Sequence, residues 1–307
     1  MLRGASALVA LTGIVGGVAW QRQRASEALE SEPIAEPWAE LGPQGHWLRP
    51  NLRGARMVVP DRPHRVEEAR MSERRAKMRR TRRFSVSTNA DRLRMGEITA
   101  APAPGVTRLV AIGDSVTFGW GVEEDEAWPA RLSLALGRPV SNGGVPGYTS
   151  HQGLLTLQNA LSTRPERVLI AYLVRDADPA PTPDHSRAPR AVPDLRLMTA
   201  LRQLRPRPQG QAAAPAGPTA RVPADRYLNN LRALKAQAEA AGAEVSFVVF
   251  PMLRRPEAHL AALHTLSAEA QVLSPALPPE SFFAEDPIHL TAEGHDQLAR
   301  QLAEALR

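Results

Sequence analysis

Short strand-like runs alternating with amphipathic segments constrain this chain more than any other feature. Residues 167–174 (RVLIAYLV) carry a single charge at their start and are otherwise apolar or aromatic, as suits a parallel strand buried on both faces. Residues 107–112, 138–142 and 243–250 read as further strands, and 125–136, 152–161, 225–241 and 291–306 as helices. The first helix puts Trp128, Leu132 and Leu136 on one face, and the last has Thr291 as N-cap with Glu293 in its first turn. Strands alternating with helices predict an α/β fold, a three-layer α/β/α sandwich around a doubly wound parallel sheet. Residues 177–224, dominated by Pro, Ala and Arg, interrupt it, with a short helix expected near 195–204. A connection that long, leaving a strand's carboxyl end, reads either as a lid over a ligand site or as a solvated insertion.

The chain before residue 105 has a different character. Residues 5–20 (ASALVALTGIVGGVAW) are uncharged, with Arg3 ahead and Arg22 and Arg24 behind. The run is shorter than the roughly 20 residues of an upright membrane span, and no small-x-small cleavage site follows. An uncleaved signal-anchor over 1–24 is the first expectation and a cleaved signal peptide the second. Either makes the membrane a partner through residues 5–20. With the anchor kept, the expectation is a single-pass protein of a cell inner membrane whose main domain is periplasmic. Residues 25–104 read as a stalk and a small accessory region, irregular and β-containing, with a charged helix at 67–82, a strand at 84–88 and a linker at 101–105. Between Arg62 and Arg83 stand ten Lys or Arg against three Glu, which contribute to a net charge of +6. Such a segment is a solvated helix face, or a surface for phosphates, anionic lipid headgroups or acidic glycans. No recognisable nucleic-acid module surrounds it, so no nucleic-acid partner is expected. The absence of cysteine excludes disulfides, thiolate metal sites and a cysteine nucleophile. No ligand-spaced cluster of histidines calls for a metal.

Chemistry concentrates at the two ends of residues 105–307. The strand at 107–112 runs into Gly113-Asp114-Ser115 and then Phe118-Gly119-Trp120-Gly121. A serine in the turn between a strand and the next helix projects from the carboxyl end of the sheet, beside backbone N–H groups that favour developing negative charge. Asp114 reads as the residue that caps this turn. Serine needs a base, and Asp286-Pro287-Ile288-His289 precedes the last helix with a carboxylate three residues from an imidazole. His289 either caps that helix or takes the proton of Ser115, oriented by Asp286; the presence of Ser115 favours the second reading. His295 is expected on the surface of the last helix, and His151 near the pocket without a carboxylate partner.

From about Arg108 onward the chain resembles the SGNH (GDSL) hydrolase family, in four blocks. Gly113-Asp114-Ser115 is similar to the first. Asn142-Gly143-Gly144-Val145-Pro146-Gly147 is similar to the second, whose glycine supplies an oxyanion-hole N–H, Gly147 being the best match. Leu173-Val174-Arg175-Asp176 falls at the third, which in the family reads Gly-x-Asn-Asp, and Asp286-x-x-His289 is similar to the last. Phe84 to Asn89 with Leu93-Arg94 resembles the preamble of membrane-anchored bacterial members. The resemblance implies a flavodoxin-like sheet, a serine esterase without cofactor, Ser115, His289 and Asp286 as catalytic residues, and an acyl-ester substrate, on a glycan or a lipid. O-acyl transfer to a cell-envelope glycan would use the same residues, and a non-catalytic binding domain is the third reading. The departure is Arg175, where the family places the asparagine that completes the oxyanion hole beside the N–H groups of Ser115 and Gly147. Its guanidinium can point inward as a donor, meet an anionic substrate, or turn away to pair with Asp176 or Asp178.

Overall fold

A computed structural model of the chain describes residues 39–42, 45–60, 81–95, 108–180, 182–186, 219–252, 255–284, 286 and 288–307. Two compact units are distinguished, residues 1–46 with 189–212 and residues 47–188 with 213–307. β1 (Ala39–Gly42) and β2 (Gly45–Leu48) pair as a two-stranded sheet. All that follows concerns the second unit. There β3 (Ala55–Pro60) and β4 (Thr81–Val86) pair antiparallel. The α/β body comprises β5 (Leu109–Gly113), α1 (Ser115–Phe118), α2 (Trp128–Leu136), β6 (Val140–Gly144), α3 (Ser150–Leu161) and β7 (Arg167–Ala171). After the short pair β8 (Pro179–Ala180) and β9 (Thr219–Ala220) come α4 (Ala224–Ala240), β10 (Glu244–Val248), α5 (Glu257–His264), β11 (Gln271–Leu273) and α6 (Ala292–Ala305).

Five strands form one parallel sheet in the order β11-β10-β7-β5-β6. This is the flavodoxin-like winding, and it reverses direction between β5 and β7. The reversal opens a crevice outside the carboxyl ends of these strands, where Ser115 follows β5 and Arg175 follows β7. Leu109 and Ala111 of β5 and Leu169 and Ala171 of β7 cluster with Trp128, Leu132, Leu298 and Leu302 of α2 and α6. The alternate residues Val110, Ile112, Val168 and Ile170 are equally buried and face the other way, toward the layer of α3 and α4. Burial on both faces is why these strands read as unbroken apolar runs.

Several boundaries moved. The strand predicted to Val174 stops at Ala171, because Tyr172 to Asp176 leave the sheet for the crevice. The helix predicted from 125 starts at Trp128 after a 3-10 turn at Glu124–Glu126, with Pro129 in its first turn, where a missing N–H costs nothing. α3 starts at Ser150, two residues early, because Thr149 and Gln152 form a capping box. Thr291 caps α6, accepting from Gly294 N at 3.1 Å. β11 and α5 have no counterpart in the sequence reading.

The helix expected at 67–82 is corrected at its described end, since Thr81 and Arg82 belong to strand β4. The apolar run at 5–20, the stalk to residue 38, the basic segment through 80, the linker at 101–105 and the centre of the insertion at 187–218 lie outside the described residues. Of the insertion, the described ends are joined by the antiparallel β8–β9 pair. Among the described residues no helix is long and apolar enough to cross a membrane.

Candidate active site

The crevice is built by turns that the local sequence dictates. β5 ends at Gly113, and the Asp114 carboxylate accepts from Val116 N at 2.9 Å, starting the one-turn helix α1. Gly119, in the left-handed region at φ 83, ends it. A single turn has little macrodipole, so it is the free N–H groups of α1 that favour negative charge there. Ser115, at the first helical position, is buried, and its own N–H makes no hydrogen bond among the described residues. Burial raises the pKa of Asp114, against the Val116 N–H and the charge of Arg175.

β6 packs against α1 so closely that a Cβ on Gly144 would lie 2.2 Å from Phe118 N. Asn142 fastens the contact, its amide donating to Phe118 O at 3.2 Å and its carbonyl oxygen accepting from Gly144 N at 3.0 Å. Beyond it Gly147 adopts φ 80, a left-handed turn that favours glycine. Its carbonyl accepts from Arg221 at 2.8 Å, while its N–H has no partner among the described residues.

The last block is a tight loop. Phe282 and Leu290 form a β-bridge, and Phe283 N donates to His289 O at 3.1 Å. Within it the two oxygens of Asp286 divide their work. Oδ1 accepts from the backbone N–H groups of Ile288 and His289 at 3.2 and 3.1 Å, while Oδ2 lies 2.7 Å from His289 Nδ1. An ionised carboxylate only accepts, so Nδ1 carries the proton and Nε2 is left as acceptor for the Ser115 hydroxyl, 2.8 Å away. Burial would raise the pKa of Asp286. The His289 hydrogen bond and charge, with a further bond from Arg82, outweigh it and hold the carboxyl well below its usual range.

The structure thus brings Ser115, His289 and Asp286 into one hydrogen-bonded chain. Arg175 stands at the same end of the sheet, and its charge acts on Asp114 and Asp286. Its Nη1 donates to Asp178 at 2.9 Å, one of the alternatives open in the sequence. Its Nε is buried with no partner among the described residues. Burial opposes the charge, yet Asp178 raises the pKa, so the group stays cationic. Asp176 accepts from Ser150 N at 3.0 Å; burial pushes its carboxyl up to about 7 against the Ser150 donors.

His295 is corrected. It is fully buried, and its Nδ1 accepts from Trp128 N at 3.2 Å. Burial, helped by the nearby charges of Arg94 and His289, lowers its pKa to about 3, so it is a neutral core residue.

Two arginines were not singled out by their chemistry in the sequence. Arg94 is buried and donates to the carbonyls of Phe118, Gly119, Val122 and Ser85, closing the end of α1. Arg82 reaches Asp286 Oδ2 at 2.9 Å. The available signal was alternation, because Arg82, Phe84 and Val86 share one face of β4 and the latter two are buried.

Solved structures similar to the chain include a GDSL-like lipase from Bacteroides thetaiotaomicron VPI-5482, with 17% identity over 67% of this chain and 91% of that one and a TM-score of 0.44. Another is the psychrotrophic esterase EstA from Pseudoalteromonas sp., with 16% identity over 65% and 96% of the two chains and a TM-score of 0.43. No curated protein matches. The profile of the GDSL-like Lipase/Acylhydrolase family matches residues 111–297, more than half of the 307-residue chain and the whole stretch from Ser115 to His289. The chain belongs to the GDSL-like lipase/acylhydrolase family, whose members hydrolyse esters.

Proposed function

We propose that the protein is a serine esterase-type hydrolase that cleaves an acyl ester through Ser115, His289 and Asp286. The observation that carries this reading is the unbroken relay of 2.8 Å from Ser115 Oγ to His289 Nε2 and 2.7 Å from His289 Nδ1 to Asp286. His289 takes the Ser115 proton as Oγ attacks the carbonyl carbon, and the ionised Asp286 stabilises the imidazolium. The oxyanion meets the N–H groups of Ser115 and Gly147, which have no partner among the described residues, and Arg175 Nε supplies the third donor. His289 then returns the proton to the leaving alcohol, and water, deprotonated by the same imidazole, frees the acid. No step calls for a cofactor. The acyl group is carried on a glycan or a lipid, and the apolar run at 5–20 supports a domain held at the outer face of an inner membrane.

A fluorophosphonate probe tests the assignment. The full chain should label and hydrolyse p-nitrophenyl acetate, and Ser115→Ala should abolish both. Labelling that survives in Ser115→Ala refutes the nucleophile, and a wild type that never labels refutes the esterase.

A further inference from the structure

We infer that Arg82 is a positioning residue for this reaction, a cation delivered from outside the segment shared with the family to grip the loop that carries Asp286 and His289. The inference rests on the esterase reading. Arg82 touches the loop at two points. Its Nη2 lies 2.9 Å from Asp286 Oδ2, the oxygen that also receives His289 Nδ1, and its guanidinium carbon sits 3.9 Å from the centre of the Phe283 ring. The side chain is 10% exposed. A half-buried arginine shared between a carboxylate and an aromatic face holds both in fixed relation.

A second observation is independent of those contacts. The Phe118-Gly119-Trp120-Gly121 stretch follows the nucleophile, and each of its glycines backs onto an arginine from the N-terminal region. A Cβ on Gly121 would come within 2.9 Å of Arg82 Cδ, and one on Gly119 within 2.9 Å of Arg94 Nη1. Both glycines lie in the left-handed region, at φ 83 and 98, which itself favours glycine, and the bare backbone there leaves room for Arg82 beside the loop. β4 itself is fixed there: Ser85 N donates to Glu123 at 2.9 Å, Ser87 N to Glu124 at 3.2 Å, and Phe84 meets the Trp120 ring edge-on.

Electrostatics give Arg82 a distinct signature. Among the described residues, the charged and titratable groups acting on the Asp286–His289 pair are Arg82, Arg175, Asp114 and the neutral His295. Arg82 alone among them hydrogen-bonds the carboxylate oxygen that holds the imidazole. Removing its charge leaves Asp286 less compensated, which favours the imidazolium, so protonation of the pair occurs at higher pH. A purely structural arginine would lower activity without moving the profile.

The test is the pH dependence of kcat/KM for p-nitrophenyl acetate with the full chain. Arg82→Gln should lower kcat about tenfold, change KM by less than about twofold, and move the acid limb up by roughly half a unit or more. Arg82→Lys should keep the limb in place. In an Asp286→Asn background, Arg82→Gln should have little further effect, because its action runs through that carboxylate. Wild-type kcat and limb in Arg82→Gln overturn the inference, as does an equal loss with and without Asp286. If Arg82→Gln fails to fold by circular dichroism, Arg82→Lys decides. A kcat about threefold lower at wild-type KM that disappears in the Asp286→Asn background supports the inference, since the planar fork then acts through that carboxylate, and wild-type kcat, or an equal loss in both backgrounds, overturns it. Turnover that depends on Ser115 but ignores Arg82 sinks this inference alone, whereas turnover independent of Ser115 sinks the esterase reading and takes the inference with it.

Discussion

Replacing Arg175 with methionine separates its ion pair with Asp178 from the oxyanion role proposed for it. Methionine keeps an unbranched stem of similar reach and loses every donor. Asp178, 34% exposed, regains water when its partner goes, and a pair this open contributes at most about 1 kcal/mol. Stability should therefore barely change. Catalysis should change a great deal, because the Nε–H is buried and without a partner among the described residues while Nη1 is engaged with Asp178. If Nε is the third oxyanion donor, as proposed, its loss costs about a hundred- to a thousandfold in kcat, or roughly 3–4 kcal/mol. The expectation for Arg175→Met is a fall of that size in kcat, with KM for p-nitrophenyl acetate within about threefold of wild type. Asp178→Ala is the control, since it frees the fork without removing Nε and should cost only a few-fold. Arg175→Asn reinstates the amide typical of the family on a shorter stem and should stay below wild type. Wild-type kcat in the methionine variant, or an asparagine variant faster than wild type, would refute the reasoning and mark Arg175 as an obstacle.

Gly144→Ala should cripple the enzyme while leaving far-UV circular dichroism intact. Its Cβ would press on the backbone of Phe118 at 2.2 Å, and relief means moving the helix that carries Ser115; normal fluorophosphonate labelling would refute this. His295 governs acid stability. Its pKa falls from 6.5 to about 3 on folding, so between those values the unfolded chain binds the extra proton and stability declines as pH drops. His295→Gln keeps an acceptor for Trp128 N and cannot titrate. Wild type should lose up to about 1.4 kcal/mol per pH unit relative to this variant below pH 6.5. Urea unfolding at pH 7.5 and 5 reads the difference, in which the opposing contributions of Glu124 and Asp176, both raised to about 7, cancel. Parallel stabilities at the two pH values would refute it.

Much of this was legible before any coordinates, for physical reasons that differ by element. β5 and β7 lie inside the sheet, and burial on both faces writes an apolar run into each. β11 is an edge strand of three residues with Gln271 exposed, too short for a pattern. Ser115, Asp286 and His289 were legible because each motif is local, the serine at a strand end and the Asp-His pair three residues apart. His295 was misplaced although the signal existed. With Leu298, Ala299 and Leu302 it completes the buried stripe of α6 at helical spacing, and only its polarity argued for the surface. Arg82 was hidden by composition, as one of ten cations in a run. Its inward face depends on β4 pairing with β3, a partner that begins at Ala55, beyond any local window.

Arg94 shows why the residues that carry the motifs do not make the site alone. A guanidinium buried this deeply is costly, and burial lowers its pKa to about 10 against the pull of Glu124. That cost is borne because it satisfies four carbonyls at once, among them those of Phe118 and Gly119 at the end of the helix that carries Ser115. Glu124 stands 3.8 Å from its Nε and also accepts from Ser87 N, tying cation, strand and loop together. Taking Arg94 away would leave several buried carbonyls without donors, which is worse than never having had the network. Arg94 braces Ser115 from behind and Arg82 holds the carboxylate opposite, and both come from residues upstream of the segment shared with the family. Ser115 and His289 are thus held 2.8 Å apart by a scaffold wider than the four blocks, with left-handed turns at Gly119 and Gly121 that leave room for both arginines.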